Sequence, residues 1–181
     1  MNPIILASAS KERALMLENL FEIIIKPAHI VETALENENA CDLVSRLALE
    51  KAQQCATDDK HIIAADTIIE FSNRQLGKPE DKERARETIK SLMNKQFSVW
   101  TSTVFYINSK ILKQCTIESI LECRYLTNLE LDTYIESKIW KGKAGAFSIS
   151  DPNCPMKIIK GDHNAVRGLC LSFINDILSK L

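Results

Sequence analysis

The chain has 181 residues, of which 45% are apolar and 26% are charged, and its formal net charge is −1. A chain of this length buries roughly 70% of its unfolded surface, so residues 1–181 are expected to form a single domain. The near-neutral balance excludes a general basic surface for DNA or RNA, and no apolar run is long enough to span a membrane. We therefore expect a cytoplasmic protein without nucleic-acid or membrane partners.

The first twenty residues predict a strand, a polar loop and a helix. Residues 4–7 are apolar and predict a short buried strand. Residues 11–20 predict an amphipathic helix with Leu17 and Leu20 facing inward. A strand that leads through a short loop into a helix start is one way to build an anion site.

The loop between this strand and helix carries the hydroxyls of Ser8 and Ser10, and Arg13 follows in the first helical turn. Hydroxyls, unpaired N–H groups at a helix start and a guanidinium fork together suit phosphate oxygens. The alternative is that Ser10 only caps the helix while Arg13 is solvated, because serine caps are common. The residues alone leave both interpretations open.

The remaining elements alternate between strands and helices. Strands are predicted at residues 21–26, 61–71, 97–107 and 111–125. Helices are predicted at residues 41–56, 80–93, 127–137 and 171–181. Residues 73–75 predict a turn, residues 27–39 and 76–79 predict loops, and residues 144–170 predict short strands and loops. The pattern indicates an α/β fold with a long antiparallel portion.

Asp66 interrupts the apolar run at residues 61–71. An ionised carboxylate in such a strand is unfavourable unless it is paired with, or binds, a cation. This favours a metal ligand or a general base at a cleft. The alternative is a strand that ends earlier, with Asp66 capping a turn.

Three further charged residues are candidates whose surroundings the sequence does not fix. Lys51 lies four residues after Leu47 on the apolar stripe of its helix, where an isolated lysine more often snorkels toward solvent. Lys78 lies in a short, stiff Gly-Lys-Pro loop that would aim its side chain, although an ordinary surface lysine fits equally well. Glu32 is one of several acids in its loop, and composition does not select it.

The six cysteines occur without a CxxC pair, and only three histidines accompany them. A zinc site would need closer ligand spacing, and a disulfide scaffold is usually a smaller chain. We therefore expect reduced thiols that mostly fill space in the core.

Six motifs occur in a recognisable order along the chain. They are SASKER at residues 8–13, LALEKA at 47–52, ADT at 65–67, LGKP at 76–79, KAGAF at 143–147 and NAVRGL at 164–169. Together with Glu32, they closely resemble the Maf family of nucleoside triphosphate pyrophosphatases. The resemblance implies an inosine triphosphatase-like fold, in which helices flank an elongated mixed β-sheet and two lobes enclose a central cleft. It also implies a homodimer.

The resemblance further implies an activity and a set of site residues. Family members hydrolyse an ordinary or non-standard nucleoside triphosphate to the monophosphate and pyrophosphate, using a divalent cation such as Mg²⁺ or Mn²⁺. The implied roles are that Asp66 activates water, that Glu32 and Asp66 hold the metal, that Lys51 and Lys78 act on the triphosphate, and that Ser8, Ser10, Arg13 and Thr67 bind the substrate.

Four places depart from the family's usual pattern. The family usually has an arginine at Glu12, a histidine at Phe97, a glutamate at Ile139 and a Gln-Gly pair at Ser150-Asp151. These places lie near the substrate in the branch that prefers thymidine and uridine triphosphates. A second branch, which resembles 7-methyl-GTP pyrophosphatases, also lacks several of these residues.

The departures leave the base specificity and the catalytic competence open. Phe97 and Trp100 would offer an aromatic face to a cationic methylated purine, because cation–π attraction contributes roughly 0.5–2 kcal/mol. The alternative is that both aromatics are strand core residues. A nucleotide-binding regulator linked to cell division, with weak or no catalysis, is the alternative to an enzyme. Glu12 near the phosphate loop and the missing carboxylate at Ile139 favour the regulator, whereas Asp66 and the two candidate lysines favour catalysis.

Overall fold

The computed structural model describes residues 3–178, which form seven strands and six α-helices. The strands are β1 (Ile4–Leu6), β2 (Ile23–Ile25), β3 (Ile62–Phe71), β4 (Arg74–Leu76), β5 (Gln96–Ile107), β6 (Lys110–Cys123) and β7 (Met156–Lys160). The helices are α1 (Lys11–Glu18), α2 (Ala40–Gln54), α3 (Lys82–Leu92), α4 (Asn128–Glu136), α5 (His163–Arg167) and α6 (Leu171–Leu178). The last three residues of the predicted closing helix, 179–181, lie outside the described residues.

One seven-stranded mixed sheet organises the chain. Its strand order is β2-β1-β3-β5-β6-β7, with β4 paired to β3. Strand β1 runs parallel to β2 and β3, whereas the remaining neighbours are antiparallel. Asn108 and Ser109 join β5 to β6 with positive φ angles of 48° and 58°, which suits a tight hairpin. The predicted α/β class, with helices flanking a mixed sheet, is confirmed.

Strand β3 runs through Asp66 without a break. Asp66 pairs with Ser102 of β5, and Thr67 pairs with Thr101, so the ladder continues on both sides of the acid. The alternative of an earlier strand end is therefore wrong. The carboxylate instead projects from the middle of a ten-residue strand whose first five residues are all buried.

Helix α2 brings one charged residue against this strand. The side chain of Asn39 caps the helix by accepting a hydrogen bond from the Asp42 backbone N–H at 2.9 Å. Leu43, Leu47 and the other apolar residues of the predicted stripe are buried against the sheet. Lys51 continues the same stripe, so its side chain is carried under the sheet rather than toward solvent.

The apolar residues form three clusters. One lies beneath α1 and α6 and includes Leu6, Leu17 and Phe105. A second lies between α2 and the sheet and includes Ala48 and Val104. The third gathers α3, α4 and the far ends of the long strands. Residues from the second and third clusters border the same cavity, which thus opens between two packed parts of the molecule.

Three details differ from the sequence-based expectations. Leu20 is 41% exposed because α1 already ends at Glu18. The turn before β4 is made by Ser72 and Asn73, both with positive φ, so most of the predicted turn at residues 73–75 belongs to a strand. Residues 163–167, predicted as strand or loop, form the short helix α5.

The six cysteines are free thiols, as predicted. Burial raises the pKa of Cys123 and of Cys154 to about 11, which fits space-filling rather than reactive thiols. Within residues 3–178, no helix combines the length and the apolar character that crossing a bilayer requires.

Candidate functional site

A cavity of about 830 Å³ lies between the two packed parts of the molecule. Its walls come from the loop after β1, the start of α1, the middle of β3, the loop after β4, residues 141–150 and the end of α5. All eight residues predicted to form the site line this one cavity: Ser8, Ser10, Arg13, Glu32, Lys51, Asp66, Thr67 and Lys78. The fold thus collects side chains from segments that are far apart along the chain.

The charged groups that line the cavity are mostly cationic. The cations are Lys11, Arg13, Lys51, Lys78, Lys141, Lys143 and Arg167, and the carboxylates are Glu12, Glu32 and Asp66. Seven cations against three anions contrast with the net charge of −1 for the whole chain. Positive charge concentrated in a concave site attracts anionic ligands. The cavity is therefore suited to a ligand with several negative charges.

Arg13 forms a dense cluster at the inner end of the cavity. Its Nη1 donates to the Ser8 hydroxyl at 3.1 Å and to the Ala65 carbonyl at 2.8 Å. Its Nη2 donates to the Thr67 hydroxyl at 3.1 Å, and its Nε donates to the Gly168 carbonyl at 2.9 Å. The loop after β1, strand β3 and the segment after α5 are thereby tied to one guanidinium.

The cluster changes how Arg13 is to be interpreted. Four of its five N–H donors already have protein partners, so at most one remains for a ligand. Burial lowers the pKa of the guanidinium, and the negative charges of Asp66 and Glu32 offset part of that effect. The expectation of a solvated Arg13 is wrong. Ser10 does cap α1, since its hydroxyl accepts from the Arg13 backbone N–H at 3.4 Å.

Lys51 joins two carboxylates in the adjoining part of the cavity. Its Nζ lies 2.5 Å from Oδ1 of Asp66 and 2.6 Å from Oε1 of Glu32. The Lys51 side chain is only 9% exposed, so the interpretation of a lysine that snorkels to the surface is wrong. Two acids that are 34 positions apart in the sequence therefore converge on one ammonium group.

The second carboxylate oxygen of Asp66 remains available. Among the described residues, Oδ2 of Asp66 has no hydrogen-bond partner, while no buried side-chain nitrogen or oxygen is left unpaired. Oδ2 must therefore be reached by solvent from the cavity. Burial raises the pKa of the neighbouring Glu32, but the hydrogen bond and charge of Lys51 and the charge of Lys78 outweigh it and leave that pKa below its usual value.

Three exposed or half-buried lysines, Lys78, Lys141 and Lys143, form what we term the cationic rim of the cavity. In the described part of the chain, no carboxylate lies within ion-pair distance of any of them. Lys141 and Lys143 were not predicted as site residues. The KAGAF motif marked their segment, but nothing in the sequence brings it to the cavity.

Two of the four departures from the family pattern meet at the cavity wall. Oε1 of Glu12 accepts from the Ser150 hydroxyl at 2.8 Å and from Nε of Arg167 at 2.6 Å. Partial burial raises the pKa of Glu12, but these two hydrogen bonds, with the charges of Arg167 and Lys143, leave it below its usual value. Ile139 does not line the cavity.

The aromatic residues considered for base recognition do not line the cavity. Phe97 is 4% exposed and packs edge-on against Phe147, with ring centroids 5.8 Å apart, inside the largest apolar cluster. Trp100 donates its indole N–H to Glu70 at 3.1 Å, also outside the cavity wall. The hypothesis of an aromatic face formed by Phe97 and Trp100 is therefore wrong.

The sheet, the flanking helices and the cation-lined cavity define the class as an α/β protein with a cleft suited to an anionic ligand. The family described as Maf-like protein matches residues 3–181, and the chain belongs to that family. The resemblance predicted from the motifs is thus confirmed.

Two relatives support this assignment, and one solved structure shares the fold. The chain is 33% identical over 174 residues to a dTTP/UTP pyrophosphatase of Pyrococcus furiosus, covering 93% of this chain and 90% of the relative. It is 34% identical over 202 residues to a dTTP/UTP pyrophosphatase of Agathobacter rectalis, covering 100% and 98%. A HAM1 protein from Coxiella burnetii shares the fold, with a TM-score of 0.53 and 18% identity over both whole chains.

Proposed function

We propose that this protein is a nucleoside triphosphate pyrophosphatase that releases the monophosphate and pyrophosphate. The observation that carries the proposal is the position of Asp66, whose free oxygen faces a cavity lined by seven cations. A water-activating acid beside concentrated positive charge is what hydrolysis of a polyphosphate requires. Relatives named dTTP/UTP pyrophosphatase, matched over nearly the whole chain, support the same activity.

The proposed mechanism assigns each role to a described contact. Asp66 orients a water molecule through Oδ2 and takes its proton as the water attacks the α-phosphorus. Lys51 holds Asp66 by its other oxygen and fixes its direction. Negative charge then grows on the non-bridging oxygens and on the departing pyrophosphate, and Lys78 with the other cavity cations stabilises it. Ser8, Ser10 and Thr67 complete the proposed substrate contacts.

Glu32 and Asp66 also fit a divalent cation. Mg²⁺ is commonly held by one or two carboxylates together with substrate phosphates and water, and these two acids already converge on a single positive group. Among residues 3–178, no group of three or more histidine, cysteine or acidic residues is placed to hold a metal ion, so the substrate would supply further ligands. A bound Mg²⁺ or Mn²⁺ would add positive charge at the phosphate oxygens.

The choice of nucleotide base is proposed from the relatives and from the residues at the cavity wall. The relatives named dTTP/UTP pyrophosphatase make dTTP and UTP the first substrates to test. Glu12 and Ser150 stand at the cavity wall where that branch of the family usually has arginine and glutamine, so purine triphosphates belong in the same panel. We further propose a cytoplasmic homodimer that does not bind nucleic acid.

The test is a panel of triphosphates with Mg²⁺ or Mn²⁺, read by release of pyrophosphate and monophosphate. The panel contains dTTP, UTP, the other common triphosphates and 7-methyl-GTP. We expect pyrophosphate from at least one of them, and loss of release when a chelator removes the metal. The Asp66→Asn variant, purified identically, controls for contaminating hydrolases. Tight nucleotide binding without any release would contradict the enzyme and favour a nucleotide-binding regulator.

A further inference from the structure

The two arginines of the cavity wall are used differently by the protein. Four of the five N–H donors of Arg13 form hydrogen bonds to protein oxygens. Arg167 uses one N–H donor, since its Nε donates to the Glu12 carboxylate at 2.6 Å. Among the residues whose side chains the structure describes, neither Nη nitrogen of Arg167 has a hydrogen-bond partner. The two guanidinium groups therefore differ sharply in what they can still offer a ligand.

The unpaired edge of Arg167 is accessible from the cavity. Arg167 lines the cavity and its side chain is 25% exposed. Since no buried side-chain nitrogen in the described part of the chain lacks a partner, both Nη nitrogens must be reached by solvent. Glu12 meanwhile fixes the Nε side of the guanidinium, and Ser150 fixes Glu12 through a hydrogen bond of 2.8 Å. The result is an anchored arginine with its two outer nitrogens open.

The surroundings of Arg167 favour phosphate as the group it meets. Gly168, the next residue, accepts a hydrogen bond from Arg13, which also contacts Ser8 in the N-terminal loop. Lys143 of the cationic rim lines the same cavity, and its charge acts on Glu12, the partner of Arg167. Arg167 thus shares the cavity with the Arg13 cluster and the cationic rim, and a guanidinium edge binds two phosphate oxygens at once.

We propose that Arg167, positioned by Glu12, is the guanidinium that binds phosphate oxygens of the substrate, while Arg13 chiefly holds the wall together. This proposal rests on the proposed function, because it assumes that a triphosphate occupies the cavity. Arg167 was not selected from the sequence as a candidate site residue. Under this proposal its guanidinium binds phosphate, and the unusual carboxylate of Glu12 serves to position it.

The first experiment measures the Arg167→Gln variant. We expect KM for the best triphosphate, and the inhibition constant of inorganic triphosphate, to rise together by roughly 10- to 100-fold, the effect of losing a charged hydrogen bond. Inhibition by the unphosphorylated nucleoside should not change. Arg84→Gln is the matched control, since Arg84 is an exposed residue of α3 outside the cavity. Unchanged constants, or a change confined to the nucleoside, would overturn the proposal.

The second experiment tests Glu12 as a positioning residue. Glu12→Gln keeps a carbonyl oxygen that can accept from Arg167, whereas Glu12→Leu keeps none. We expect Glu12→Leu to raise KM and the inhibition constant of inorganic triphosphate, with a smaller effect on kcat. For Glu12→Gln, the increase in the logarithm of each constant should be at most half of the increase seen for Glu12→Leu. Equal behaviour of both variants would remove the positioning role.

A third measurement uses the wild-type protein, so that misfolding of a variant is not an alternative explanation. Phenylglyoxal modifies accessible guanidinium groups, and peptide mapping of the wild-type protein locates them. We expect Arg167 to be modified and to be protected by inorganic triphosphate, whereas Arg13 resists modification in both conditions. A modified Arg167 that saturating inorganic triphosphate fails to protect would overturn the proposal. If the wild type releases no pyrophosphate from any triphosphate, the proposed function fails, while this protection experiment still decides the role of Arg167.

Discussion

The two sides of the cavity differ in how firmly their charged side chains are held by the rest of the protein. The inner wall, formed by Ser8, Arg13, Lys51, Asp66 and Thr67, is linked by hydrogen bonds and ion pairs between protein groups. The cationic rim of Lys78, Lys141 and Lys143 carries charge on loops without ion-pair partners in the described part of the chain. Folding therefore fixes positions at the inner wall, whereas the rim supplies attraction without fixed geometry.

This difference predicts its largest effect on catalysis at the inner wall. Asp66→Asn should lower kcat by about 10²–10³, because the amide is a poor base for water. The fold should persist, since Lys51 retains Glu32 as its partner. The measurement is steady-state pyrophosphate release, with thermal melting as the check on folding. Asp132→Asn on the exposed face of α4 is the control. Near-wild-type turnover by Asp66→Asn would remove Asp66 from the role of base.

The next effect concerns stability. Arg13→Lys places a single ammonium where a fork serves four acceptors, so buried oxygens such as the carbonyls of Ala65 and Gly168 lose partners. Unpaired buried groups cost roughly 1–3 kcal/mol each, and we expect about 3 kcal/mol of lost unfolding free energy in urea.

The exposed Arg84 supplies the control for this stability prediction. Arg84→Lys should change the free energy of unfolding by less than about 0.5 kcal/mol. If Arg13→Lys were equally mild, the inner wall would not be the rigid part of the cavity, and the contrast with the rim would disappear.

The rim predicts a smaller effect that depends on salt. The double variant Lys141→Gln, Lys143→Gln should raise KM about fivefold at low ionic strength, corresponding to about 1 kcal/mol of lost attraction. At 0.5 M salt the difference should shrink, because exposed charges are screened. Stability should not change. Lys157→Gln with Lys160→Gln, which changes two exposed lysines of β7, provides the control. A KM effect that salt leaves intact would place the rim among the fixed contacts.

Glu32 joins the inner wall to solvent and predicts the smallest effect. Its folded-state pKa is below the usual value, so its pairing with Lys51 stabilises the protein above the unfolded carboxyl pKa of about 4.3 and is lost as the pH falls through the lower folded value. Wild type should exceed Glu32→Gln in stability at pH 7 by less than about 1 kcal/mol, and the gap should narrow steadily as the pH falls below the unfolded carboxyl pKa. Glu36→Gln, in the same exposed loop, is the control; a gap that does not narrow on acidification would contradict the ion pair.

The sequence predicted much of the scaffold because its signals are local. The Thr127 capping box, the hairpin at Asn108 and the apolar stripe of α2 each depend on neighbours within a few residues. The failures have local causes as well. Leu20 follows an early helix end, and α5 is a five-residue helix whose start depends on the cap at Asp162. Such short elements carry little periodicity from which to predict them.

The sequence selected part of the lining of the cavity, but it did not predict the contacts within it. The family motifs selected eight residues that do line one cavity. They could not reveal that most N–H donors of Arg13 bond to protein oxygens, or that Glu12 pairs with Arg167, 155 positions away in the sequence. Both facts depend on long-range geometry, which a single sequence does not encode in any local pattern. Phe97 shows the converse, since its aromatic character suited a ligand face while packing placed it in the core.

The hydrogen bond from Arg13 to the Gly168 carbonyl has a consequence for biosynthesis. It joins the beginning of the chain to a segment made 155 residues later, so the inner wall cannot close until that segment has left the ribosome. Shorter nascent chains hold the early strand and helix but lack the carbonyl that completes the cluster. The order of translation thus delays assembly of the wall until the segment with Gly168 has been made.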